Sequence, residues 1–184
     1  MSQSDQLTTL NLDLRKNRSW ESLSDARDFD EKRHRELRAL AQAVGGENVE
    51  TTFVDQELTG AVSSSDPEYH AGRLQVVVFT KSRLVVSVDE APLEDAAESE
   101  VRVLRLSDVE SYSVAGTARA FADELAWEHE RIRVTVRHRN LGNPLVLGYT
   151  RHSGGRADGY GVSKYQERMN RILGLLAGAF GALS

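Results

Sequence analysis

Residues 72–89, GRLQVVVFTKSRLVVSVD, constrain the fold more than any other part of the chain. Two β-branched stretches, 74–80 and 84–88, flank the polar link Lys81-Ser82-Arg83. β-Branched and aromatic side chains suit a pleated strand, and a short polar link between two such runs predicts an antiparallel hairpin. The rest of the chain must be added around that hairpin. Its 184 residues suffice for one well-buried core and fall short of two, so one globular domain with an N-terminal extension is expected. There is no cysteine, so packing alone must hold the core, without disulfides or thiolate metal sites.

Upstream of the hairpin, Leu10, Leu12 and Leu14 alternate with Asn11, Asp13 and Arg15. A period of two places the leucines on one face of a strand. With Trp20 and Leu23 close behind, residues 1–23 are expected to form an arm, laid on its own domain or added to a partner or second subunit. From 24 to 45 the pattern turns helical. Asp25 and Asp28 favour a helix start, Gly45-Gly46 supplies the stop, and Phe29, Leu37, Leu40, Ala41 and Val44 share a stripe. Glu31 with Arg35 and Lys32 with Glu36 are expected to pair on the solvated side, where His34 also falls.

Residues 48–62 predict one or two strands broken near Gly60, followed by a loop at 63–72. Residues 89–100, DEAPLEDAAESE, carry six acidic residues and no basic one, which predicts a solvated segment. They lack the ordered ligand spacing of a calcium loop, and no metal is expected there. Strands resume at 101–106 and 109–114 with a bend at LSD, and 116–127 forms a connection or short helix. Next, Ile132, Val134 and Val136 alternate with Arg131, Arg133, Thr135 and Arg137, predicting a strand with one buried and one basic face. Gly142-Asn143-Pro144 turns the chain into a partner strand at 145–149.

The glycine-rich SGGRADGYG then leads to a terminal helix, with Ser163 and Gln166 spaced as a capping box. Tyr165, Met169, Ile172, Leu173, Leu176 and Phe180 form its apolar stripe. Burying six such side chains stabilises by on the order of 10 kcal/mol, an upper estimate, so the helix must dock. Gly174, Gly178 and Gly181 lie opposite, each costing about 1 kcal/mol against alanine. Small residues there would let a second protomer approach closely.

The element order predicts a mainly β fold with α, a bent antiparallel barrel capped by the C-terminal amphipathic helix, with an extra N-terminal helix. The hairpin VVVFTKSRLVVSV resembles that of bacterial pleckstrin-homology-like and GRAM-like domains, where an apolar strand ends in Thr, a polar turn and Arg-Leu. LRLSDVESYSV is similar to the strand that follows it there, and the last helix lies where theirs does. The resemblance covers about residues 46–182 and implies a scaffold without catalysis that binds lipids, peptides or proteins and often self-associates. One departure matters: from Gly45 to Gly72 there is no Lys or Arg, unlike the loop with which pleckstrin-homology domains hold phosphoinositides.

Catalytic patterns are sparse. GGRADGYG lacks the Lys-Ser/Thr of a P-loop, no HExxH or GxSxG occurs, and the five histidines are scattered. No cofactor, catalytic residue or metal ligand is therefore expected. The formal charge of −5 opposes attraction to nucleic acid or anionic lipid. Neither a secretory leader nor a run of about 20 apolar residues is found, which predicts a soluble, cytoplasmic protein. The function expected is an interaction module for a protein or peptide partner that also self-associates. Its contact residues would be Leu10, Leu12, Leu14 and Trp20 on the arm, Arg131, Arg133 and Arg137 on the basic strand, and Gly174 and Gly178 on the last helix. The alternatives are a peripheral membrane adaptor and a structural subunit of a larger particle, with an enzyme least favoured.

Overall fold

The computed structural model describes residues 3–15, 29–58, 71–90, 100–115, 133–148 and 159–181. Helices α1 (Gln3–Arg15) and α2 (Phe29–Val44) precede strands β1 (Thr51–Leu58), β2 (Ala71–Phe79), β3 (Arg83–Asp89) and β4 (Glu100–Arg105). A 3-10 turn, Leu106–Asp108, leads to β5 (Val109–Ala115), β6 (Arg133–His138) and β7 (Leu145–Leu147), and helix α3 (Gly159–Gly181) follows. The strands form two antiparallel meanders, β1-β2-β3-β4 and β5-β6-β7. The expected barrel is corrected: among the described residues there are two packed sheets and no closed wall.

The central hairpin is β2 and β3, with Val77 opposite Val86 and Phe79 opposite Leu84. Every residue from Leu74 to Thr80 is buried. An unbroken buried run of this kind, apolar from Val76 to Phe79, belongs to a strand covered on both faces. Phe53, Val77, Phe79, Leu84 and Val86 pack with Val134, Val136, Leu145 and Leu147 of the smaller sheet and with Met169, Ile172 and Leu176 of α3. Val54, Leu74, Val76, Val78 and Val85, which point the other way, pack with Leu10 and Leu14 of α1 and Leu37, Leu40, Ala41 and Val44 of α2. The order of layers is two helices, the four-stranded sheet, then the three-stranded sheet with α3.

The N-terminal leucines therefore form a helix and not the expected strand. Leu7, Leu10 and Leu14 recur at three and four residues, which puts them on one helical stripe. Leu10 and Leu14 are buried and Leu7 is partly so, while Leu12 points outward at 59% exposure. Asp13 ties α1 down, accepting a 2.9 Å bond from the Thr52 hydroxyl of β1. Glu36 also corrects the expectation of an outer Lys32–Glu36 pair. It is 4% exposed and accepts a 2.6 Å bond from Ser87 of β3, because α2 lies flat on the sheet and turns this position inward.

In α3, Met169, Ile172 and Leu176 are buried, and Leu173 and Phe180 pack at the margin, as the apolar stripe predicted. The ring of Phe180 meets Tyr112 of β5 at 5.6 Å. The helix starts at Gly159, so Ser163 lies within it and not at its cap. The start of the predicted helix at 24–28, the segments 59–70, 91–99 and 116–132, and Trp20 lie outside the described residues.

If α1 is a layer of the core, truncating Leu14 removes packing that the sheet needs. Leu14→Ala is expected to destabilise the protein by about 2–5 kcal/mol in urea unfolding, the usual range for a buried leucine. A midpoint equal to that of wild type would mean that α1 does not cover the sheet.

Candidate functional site

The basic strand predicted from alternation is β6. Val134 and Val136 point into the core, while Arg133 and Arg137 are exposed on the outer face with half-buried Thr135 between them. Antiparallel pairing sets Ser111 opposite Arg137, Ser113 opposite Thr135 and Ala115 opposite Arg133. Small side chains on β5 thus leave the arginines standing above a shallow ledge that carries hydroxyl groups. Their Cα atoms are four residues apart, about 13 Å along an extended strand. Among the described residues neither arginine has an ion-pair or hydrogen-bond partner.

Gly148 holds β6 in place. A Cβ there would lie 3.0 Å from the Arg133 Cα, so the close approach of the chain leaving β7 requires glycine. On the opposite side of the smaller sheet, Gln75 of β2 donates to the Val146 carbonyl at 3.0 Å, joining the two sheets. The arginine ledge is therefore mounted on a pinned support.

The other predicted contact residues are dispersed. Leu10 and Leu14 are used within the core, and Leu12 is exposed on α1. Gly174 and Gly178 lie on the solvent side of α3, with no atom within 4 Å of a Cβ added at either. Trp20 and Arg131 lie outside the described residues. Among the described residues the structure sets Arg133 and Arg137 together on one exposed strand face.

A second polar cluster went unread in the sequence. Gly45 and Gly46 end α2 with φ of 64° and 89°, left-handed values that favour glycine. They deliver Glu47 to the β2–β3 turn, where it accepts 2.7 Å bonds from the hydroxyls of Thr80 and Ser82. Arg83 Nε completes the set at 2.8 Å, and its guanidinium lies over Gly45, where a Cβ would stand 2.8 Å from it. Thr80 also accepts the Arg83 backbone N–H at 2.9 Å, closing the turn. The motif Thr-Lys-Ser-Arg in the hairpin signals a turn, but Glu47 is 33 residues from Thr80 and has no signature of its own.

His138 is the other unread residue. It is 3% exposed, its Nε2 lies 2.9 Å from the Arg105 carbonyl, and Nδ1 accepts the Asn140 backbone N–H at 3.0 Å. With a donor on Nδ1, the ring proton must sit on Nε2 and point to Arg105. The arrangement joins β6 to the end of β4.

Hydrogen bonds from Thr80 and then Ser82 hold the Glu47 carboxyl below its ordinary value of 4.5, with a smaller contribution from the Arg83 charge. A lowered folded-state value means that the native state takes up this proton less readily than the unfolded chain. The stability contribution is present above 4.5 and is lost as the pH falls through the folded value. The difference in unfolding free energy between wild type and Glu47→Gln is thus expected to be full above 4.5 and to narrow as the pH falls below it. Denaturant titrations above and below that value would measure it, and a constant difference would show that the carboxylate charge plays no part.

No protein-family model matches this chain, and neither curated proteins nor solved structures provide a match. Among the described residues no helix is long and apolar enough to cross a membrane.

Proposed function

We propose that this chain is a non-catalytic interaction module of pleckstrin-homology-like type that binds an acidic protein or peptide segment. Support for the architecture comes from four consecutive antiparallel strands, three more in a second sheet, and a C-terminal helix packed into the shared core. A fold of this kind does not name its ligand, so the reading of function rests on the surface. The observation that carries it is the pair of arginines on the outer face of β6, exposed and without an ion-pair partner among the described residues, beside Ser111, Ser113 and Thr135. Guanidinium groups bind carboxylates through paired N–H donors, and exposed hydroxyls add bonds without steric bulk. The negative charge of the whole chain disfavours a broad anionic bilayer but leaves room for a short acidic strand.

A fluorescent glutamate-rich peptide is expected to bind the full chain at low salt and to release as ionic strength rises. Arg133→Glu combined with Arg137→Glu should weaken binding at least about tenfold, since each lost charge-assisted bond costs roughly 1.5–3 kcal/mol. Equal binding by wild type and variant would end the proposal. Flotation on anionic vesicles with no response to peptide would favour the membrane adaptor instead.

Self-association belongs to the same reading, through the open glycine face of α3. If that face is an interface, Gly174→Leu with Gly178→Leu lowers the mass seen by light scattering. An unchanged mass would remove α3 from the contact.

A further inference from the structure

Three segments far apart in the sequence meet at one corner of the fold. The Ser82 carbonyl accepts from Leu106 N–H at 2.8 Å, the Asp108 carbonyl from Arg139 N–H at 3.2 Å, and the Arg105 carbonyl faces His138 Nε2 at 2.9 Å. The β2–β3 turn, the end of β4 with its 3-10 turn, and the turn after β6 are thus bonded to one another. Each contributes one exposed cation: Lys81, Arg105 and Arg139. Among the described residues none of the three has an ion-pair partner.

The pairing of strands sharpens the imbalance. Arg105 lies directly opposite Arg83, and like charges in that relation repel. Glu47 balances Arg83, and Arg105 is left without a counter-charge among the described residues. The exposed Ser107 adds a hydroxyl group in the same turn.

We propose that this corner is a binding site for a compact phosphoryl dianion, held by Lys81, Arg105 and Arg139 with Ser107 as a further donor. Arg forks match the oxygens of a tetrahedral anion, and Lys supplies a mobile point charge. Bonded backbones reduce the cost of ordering the site. Asp108, whose carbonyl takes the Arg139 N–H, and Glu47, bonded to the β2–β3 turn, put negative charge at the margin of the corner, which disfavours an extended anionic surface and so favours a small ligand over a bilayer. The site is separate from the outer face of β6 and does not depend on peptide binding there.

The full chain would be titrated at low salt with O-phosphoserine and with inorganic phosphate, followed by backbone amide shifts. Saturating shifts at Leu106, Ser107 and Arg139 are expected, with affinity reduced about tenfold or more in Arg105→Glu and in Lys81→Glu. Arg105→Glu also relieves the repulsion from Arg83, so that variant should unfold no earlier than wild type, which separates lost binding from lost folding. Full retention of binding by both variants, shifts confined to β6 around Arg133 and Arg137, or a response to serine equal to that to phosphoserine would overturn the site. So would uptake on phosphatidic acid vesicles with no response to either soluble phosphate.

Discussion

The central hairpin of the four-stranded sheet is buried on both faces, and the rest of the structure follows from the need to cover it. Val76 and Val78 require α1 and α2 on one side, whereas Val77 and Phe79 require the smaller sheet and α3 on the other. Burial on two faces leaves no water for polar side chains within the sheet, so each must find a protein partner. Thr52 reaches Asp13 of α1, Ser87 reaches Glu36 of α2, Gln75 reaches the Val146 carbonyl of β7, and Thr80 reaches Glu47. Each bond joins the sheet to a different neighbour. The few buried polar groups therefore fix how the layers sit on one another, and the apolar contacts supply the driving force.

Three carboxylates brace the layers: Asp13 accepts from Thr52, Glu36 from Ser87, and Glu47 from Thr80 and Ser82. Glu47 is an example. Its carboxylate is a cross-brace between the end of α2 and the β2–β3 turn, and its lowered proton affinity is the consequence of that bracing. Among the described residues Lys81, Arg105, Arg139, Arg133 and Arg137 have no counter-charge, which is why anionic partners are the chemistry proposed for both surfaces.

Strand positions were legible because local composition matches local geometry. The alternation of Val134 and Val136 with Arg133 and Arg137 predicted one buried and one basic face, and the LSD bend is the 3-10 turn between β4 and β5. The stripe on α3 was legible for the same reason. Misreadings came where two periods compete. Leu10, Leu12 and Leu14 satisfy a period of two, but Leu7, Leu10 and Leu14 satisfy the helical period that the sheet selects by offering an apolar face. Glu36 was assigned outward by its charge, although Ser87 provides a buried donor that no local pattern reveals.

From residue order alone came the elements that depend on near neighbours: the central hairpin, the basic strand, the turn at Thr80 and the docking stripe of α3. Tertiary contacts alone decided which element covers each side, that the wall splits into two sheets, and that the segments carrying Lys81, Arg105 and Arg139 are bonded to one another. The reason is range: periodicity and turn chemistry act over a few residues, whereas pairing of Glu47 with Thr80 or Arg105 with His138 spans about thirty and exists only once the layers have packed.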